Sequence, residues 1–382
     1  MKRMLNWAIA LIMISCSSLL VGCAPADNPS PYIPSEADRN RDALATHFKT
    51  DASVLADNLN FDAITLSSQT TSQLLALMNK SRTFKEDVKK MIALLTIQNL
   101  TDRTNSHGLR IIFDEKGNYQ VGPSEGMVFI FPATVDGYGK MLYKLSMASN
   151  RNFNEVPELL RVTLSCMYQD KEVVLNSSVA SVKMTSDFPG MAAITLGTFS
   201  FESKIDYFLP DAKDAAKAST IDIVGSRESD GSVNFQLGYV QNKLNILDAN
   251  MNIPLPADYV IKSIRGMMET VNSITVSSSI LDDLYVTGNI KGDMQIACGK
   301  DGSAIPMKFV DVQEGETTLK MPAFALDYSS DYTLLKDIVD ADTYAQLMNL
   351  YQQTASRINV TSTDYADLLT MLLQILPIAT TN

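Results

Sequence analysis

The chain has few of the residues on which catalytic and metal sites are usually built. It has two histidines, four cysteines and one tryptophan in 382 residues. His47 lies in a helical stretch, DALATHFK, and His107 in a turn, NSHGLR. Neither belongs to an HExxH pair or a Ser-centred elbow, so both are read as surface or capping residues. Basic charge is scarce as well: 32 Lys and Arg face 43 Asp and Glu, for a net charge of −11. Such a surface repels nucleic acid and anionic lipid headgroups. No glycine-rich phosphate cradle occurs; GDMQIACGKDG has the pattern of a strand and a turn. Asp340 and Asp342 have the spacing that opens a calcium loop. Ala345 stands where that loop needs glycine and Tyr351 where it needs the distal Glu, so the pair is assigned to a solvated helix face. Asp114-Glu115 and Asp282-Asp283 are expected as solvated turn carboxylates. No catalytic residue, cofactor or metal is assigned.

Beyond the first 22 residues there is no uninterrupted apolar run of ~20, so nothing later is expected to span a membrane. Those 22 residues form an address. Lys2 and Arg3 precede an apolar segment, Trp7 to Ile14, too short to be a spanning helix. Leu20-Val21-Gly22-Cys23 follows and resembles the lipobox of bacterial lipoproteins. The resemblance implies cleavage after Gly22, a diacylglycerol thioether on Cys23 and acylation of the new amine. More than one acyl chain makes membrane residence stable. The expected location is the cell envelope, anchored by lipid to the outer membrane. Ala24 to Ser35 carries four prolines and reads as an extended tether.

The expected organisation is a signal over 1–22, a tether over 23–35, helices over 36–105, a β-region over 106–328 and helices over 329–382. In SRTFKEDVKKMIALLTIQNL, Phe84, Val88, Ile92 and Leu95 recur at helical steps, with Ser81 as the N-cap. From about His107 the period changes to two. Met141, Tyr143, Leu145 and Met147 alternate, and SRESDGS joins two alternating runs as a hairpin turn. In MAAITLGTFSF the apolar phase slips by one at Gly197-Thr198, which predicts a β-bulge. Leu284 to Cys298 keeps one apolar parity throughout, which predicts a continuous strand or a turn of odd length. PADYVIKSIRGMMETV predicts a helix over 256–271. At the C-terminus, one helix is expected before Val360 and a second from the Thr/Ser cap to Pro377. Together these give an α+β fold: an antiparallel, strongly curved sheet or barrel with helical segments packed on it.

Two cysteines remain besides Cys23 and the signal's Cys16. Cys166 continues the parity of Leu160, Val162 and Leu164, and Cys298 that of Ile296, so both point inward. A Cys166–Cys298 disulfide would stabilise by ~4–5 kcal/mol in the chain-entropy model. Two free buried thiols fit the pattern equally well.

The segments DKEVVLNSSVASVKMTSDFPGMAAITLGTFSF, STIDIVGSRESDGSVNFQLGYV and LYVTGNIKGDMQIACGKDGSAIPMKFVDV resemble strands of calycin-like, lipocalin-like lipoproteins of the Bacteroides group. The lipocalin Gly-x-Trp is absent, since Trp7 lies in the signal. More strands are present than the eight of such a barrel, which suggests an enlarged sheet or a second β-unit over 107–165. The resemblance implies an apolar-lined cup, or a barrel filled by its own side chains, and the expected role is that of a non-enzymatic, lipid-anchored binding protein. A cup would hold a small apolar or amphipathic ligand in a cavity of ~300 Å³ or more. The alternative is a glycan- or protein-binding surface built from tyrosines such as Tyr119 and Tyr285. In either case Cys23 of the exported product should carry thioether-linked lipid and residues 1–22 should be missing, which intact-mass analysis checks.

Overall fold

The structure is a computed structural model that describes residues 34–59, 62–102, 108–136, 139–149, 159–168, 170–184, 196–207, 219–259, 271–314 and 317–375. Gly22, Cys23, the tether, His107 and most of the helix expected over 256–271 lie outside these residues. The described residues hold four long helices and sixteen strands, in an α+β arrangement. The strands are nearly all antiparallel, and their order has two ends and does not close into a barrel. None of the described helices is long and apolar enough to cross a membrane.

The chain divides into two compact units. One comprises Met1–Leu59, Asn234–Leu255 and Ser263–Ser356. Its strands β9 (Val233–Gln241), β10 (Leu244–Ile253), β11 (Thr275–Ile280), β12 (Leu284–Asn289), β13 (Met294–Cys298), β14 (Ile305–Glu314), β15 (Thr317–Phe324) and β16 (Thr333–Leu334) are neighbours in chain order. Helix α1 (Glu36–Asn58) packs on them. Ser35 starts it with a capping box: its hydroxyl accepts from the Asp38 N–H at 3.1 Å, and Asp38 accepts from the Ser35 N–H at 3.1 Å. Leu44, Phe48, Ala52 and Leu55 recur at helical steps and are buried. Phe48 meets Phe324 edge-on at 5.6 Å, and Asn40 donates to the Leu326 carbonyl at 2.7 Å.

The second unit comprises Asn60–Val233, Pro256–Lys262 and Arg357–Asn382. It holds helices α2 (Asp62–Lys80) and α3 (Phe84–Asp102) and strands β1 (Gly108–Phe113), β2 (Tyr119–Ser124), β3 (Met127–Val135), β4 (Gly139–Ser149), β5 (Leu159–Tyr168), β6 (Lys171–Met184), β7 (Leu196–Tyr207) and β8 (Ser219–Arg227). Their order is β2-β1-β3-β4-β5-β6-β7-β8, with β1 and β3 parallel. On β3 Met127, Phe129, Phe131, Ala133 and Val135 are buried, and the intervening residues are not. One face of the strand therefore makes the core. β1 covers β3 only over Val128–Ile130. Past that point α2 takes over as neighbour. Gln73 accepts from the Thr134 N–H at 2.9 Å and donates to its carbonyl at 2.7 Å. Gln69 accepts from the Asp136 N–H at 2.9 Å and donates to its carboxylate at 2.7 Å. On α3, Phe84 closes an aromatic cluster with Phe113 and Tyr119.

The predicted bulge is present. Val182 faces Phe199 and Met184 faces Leu196, so Gly197 and Thr198 together oppose one residue. Residues 284–298 are not one strand. β12 and β13 form a hairpin in which Leu284 faces Cys298 and Gly288 faces Met294. The Asn289 N–H donates to Asp293 across a three-residue turn, an odd length that preserves the parity. The two C-terminal helices predicted from sequence are one, α4 (Ala341–Ile375), which runs through Thr361, Ser362 and Thr363. A polar cluster starts a helix only where no hydrogen-bonded turn precedes it. Asp340 is solvent-exposed as expected, but it lies just before the helix and not on its face. It caps α4, accepting from the Thr343 N–H at 2.8 Å, and it pairs with Lys49 at 2.9 Å. These contacts pull its carboxyl down to about 2, the Lys49 bond first and the Thr343 N–H next. α3 begins at Phe84, with the Thr83 carbonyl accepting from the Asp87 N–H, so the expected cap at Ser81 lies before the helix.

Gly288 has φ +130°, and a Cβ there would lie 2.4 Å from the Asp293 carbonyl oxygen. Gly288→Ala is expected to lower stability by about 1–3 kcal/mol, seen as a lower denaturant midpoint with unchanged slope.

Candidate functional site

Two constellations stand out, one in each unit. In the first unit, α1 presents His47 and Asp51 one turn apart toward the β11–β12 turn. Leu281 and Asp282 of that turn hold φ values of +51° and +54°, uncommon for residues other than glycine. The Tyr285 hydroxyl donates to the Asp282 carbonyl at 2.9 Å, and Asn245 donates to the Asp282 carboxylate at 2.9 Å. So held, Asp283 meets His47, with Nδ1 2.6 Å from Oδ2. Asp283 is therefore not the free turn carboxylate its neighbours in sequence suggest.

Asp51 was not legible as a site residue. It lies on the buried stripe of α1, 2 % exposed, and its Oδ2 has no hydrogen-bond partner. Burial first, and the Asp283 charge second, push its carboxyl from 3.8 up to about 8. It is protonated at neutral pH. The one signal in the sequence was an Asp on the same helical stripe as Leu44, Phe48, Ala52 and Leu55. Cys298 lies within electrostatic reach, and burial followed by the Asp283 and Asp51 charges raises its thiol to about 12.

Cys, His and Asp together bring a nucleophilic triad to mind, but the electrostatics run the other way. A thiolate nucleophile needs its pKa lowered by a nearby cation, whereas this thiol is held protonated. No hydrogen bond joins His47 to Cys298 among the described residues. Nor does any cluster of three or more His, Cys, Asp or Glu among those residues have the geometry of a metal site.

Cys166 and Cys298 are free thiols, so the disulfide considered from sequence is absent. Cys166 faces Tyr143 and Val173 across the sheet, and Cys298 faces Leu284. Burial raises the Cys166 thiol as well.

In the second unit a cleft of about 190 Å³ lies between α2, α4 and the inner face of β3 to β6. Leu74, Phe131, Leu145, Met147, Leu164 and Leu368 make its apolar wall. This is the Leu, Met and Phe lining expected of a ligand cup, in a smaller volume than the ~300 Å³ expected with it. The polar side consists of Thr70 and Thr71 from α2 and Asn176 and Ser178 from β6. The Thr70 hydroxyl donates back to Leu66 and Ser67 of its own helix. A second bulge places these β6 residues. Leu164 faces Asn176 while Ser165 faces Val174, leaving Leu175 as the extra residue. The phase of β6 shifts there, so Asn176 and Ser178 follow buried Leu175 on the inner side. The Ser178 hydroxyl donates to Asn176 Oδ1 at 3.1 Å and lies 2.8 Å from the Ser203 hydroxyl.

The remaining candidates from sequence are structural. Asp114 accepts from the Lys116 and Asn118 N–H groups at 2.9 Å and shapes its turn. The Tyr119 hydroxyl donates to Asp87 at 2.7 Å, so this tyrosine belongs to the α3 contact.

No family model matches the chain, and neither a curated protein nor a solved structure matches it. The likeness to calycin-like lipoproteins therefore rests on strand patterning alone.

Asp51 gives a pH test. An unfolded chain releases this proton near 3.8, the folded one near 8. The stability it contributes is full below the lower value and lost as pH rises through the upper. Asp51→Asn removes the titrating group. Thermal melts should show the variant ~2 °C or more above the parent at pH 9 and level with it at pH 4.

Proposed function

We propose that the chain is a non-enzymatic, lipid-anchored binding protein that holds a small apolar or amphipathic ligand in the cleft of its second unit. The observation that carries this is the cleft itself, lined by eight apolar side chains together with three hydroxyls and an amide. Ligand sites commonly combine an apolar lining with a few convergent polar groups that fix orientation. An apolar cavity of about 150 Å³ accommodates benzene, so a cleft of this size suits an occupant of about seven non-hydrogen atoms.

The lipobox-like Leu20-Val21-Gly22-Cys23 supports anchoring in the cell envelope, with the outer membrane as the expected site. A two-chain or three-chain lipid would hold the protein there, and the acidic body would stay in water. The protonated Cys298 thiol and the pairing of His47 with Asp283 support a role without chemistry. Glycan binding through exposed tyrosines has less support, because Tyr285 and Tyr119 spend their hydroxyls on Asp282 and Asp87.

Native extraction followed by mass spectrometry of released small molecules tests the proposal. A compound of the stated size should be recovered from the parent protein. Val162 lines the cleft, and Val162→Phe fills it. That variant should lose at least ~90 % of the recovered compound while keeping its melting midpoint within ~3 °C. Recovery of nothing from the parent, or of equal amounts from both, would count against a ligand role.

A further inference from the structure

We infer that the polar end of the cleft's occupant is an uncharged hydroxyl, so that the cleft takes a short aliphatic alcohol and rejects the matching carboxylate. This rests on the cleft being a ligand site, as proposed above.

The polar partners decide the class. A carboxylate placed among apolar side chains needs a cation or an array of N–H donors to replace its water. Among the described residues, no Lys, Arg or His lines the cleft. One charged side chain bonded between the two helices near the cleft is negative. Asp364 lies one turn before Leu368 on α4, and it accepts from the hydroxyl of Ser68, three residues before Thr71 on α2.

What lines the polar side is a relay of neutral groups. Ser178 gives its proton to Asn176 Oδ1 and lies within hydrogen-bond distance of the Ser203 hydroxyl. Asn176 then has its amide N–H groups left to donate, and no partner for them is found among the described residues. Ser203 is buried, so the relay ends inside the protein. An alcohol oxygen accepts from an amide and has one proton to give, which matches such a set. The position of the relay follows from the bulge at Leu175. Without that extra residue the phase of β6 would not change between Val174 and Asn176.

Calorimetric titration of the full extracted protein with 1-hexanol, hexanoate and benzene tests the inference. At neutral pH 1-hexanol should bind at least ~10-fold more tightly than hexanoate. Asn176→Leu should reduce the 1-hexanol affinity ~5-fold or more while leaving benzene within ~2-fold. Ser178→Ala, a smaller change, should shift 1-hexanol in the same direction. Hexanoate binding as tightly as 1-hexanol would overturn the inference, as would an Asn176→Leu variant with unchanged preference for 1-hexanol over benzene. Binding of benzene alone would also overturn it while leaving an apolar cleft standing. If none of the three binds, the ligand role itself falls.

Discussion

Burial of one side-chain parity, as on β3, β11 and β13, is the constraint on which the other features rest. An antiparallel meander offers every strand two faces, and helices cover one of them. On β3 the covered face is Met127, Phe129, Phe131, Ala133 and Val135 without interruption. Where a polar group occupies a covered position, the protein has to satisfy it or keep it neutral. The Ser178 hydroxyl and the Asn176 side-chain oxygen are paired in a hydroxyl relay, which leaves only neutral groups at those positions. Asp51 is kept neutral, at the cost of a pH-dependent stability. The two constellations of interest are thus the same kind of departure, resolved in two ways.

Much of the strand pattern was legible because period two leaves a trace that a bulge alters in a defined manner. The slip at Gly197-Thr198 marked an extra residue, and the register has one there. The bulge at Leu175 left no comparable trace, since VVLNSS offers no clear apolar parity on either side of it. The unbroken parity of 284–298 was compatible with a long strand or an odd turn. Asn289 decides between them: its side chain accepts from the Ile274 N–H at 3.0 Å and the Lys291 N–H at 3.0 Å, stabilising the turn. Patterning left a curved sheet and a closed barrel as alternatives, because pattern records which way a side chain faces and not which strand comes last.

Side-chain partners distant in sequence were the least legible. Asp283 reads as one of two turn acids until α1 is laid beside it and His47 comes within 2.6 Å. Asp340 reads as a helix-face acid until the helix starts just after it. Residue types were equally misleading about chemistry. A cysteine, a histidine and two aspartates gather in one place, yet burial and two carboxylates hold the thiol at about 12. Residue identity suggests a nucleophile, and the local field favours the protonated thiol.

The glutamines of α2 have a consequence for behaviour at high concentration. A strand with unmatched amides invites another chain to add itself in register, the first step of fibril growth. At the far end of β3, Gln73 engages both the N–H and the carbonyl of Thr134 as a neighbouring backbone would, and Gln69 accepts from the Asp136 N–H just beyond it. The helix thereby acts as a blunt cap against templated association wherever copies of the chain are crowded together.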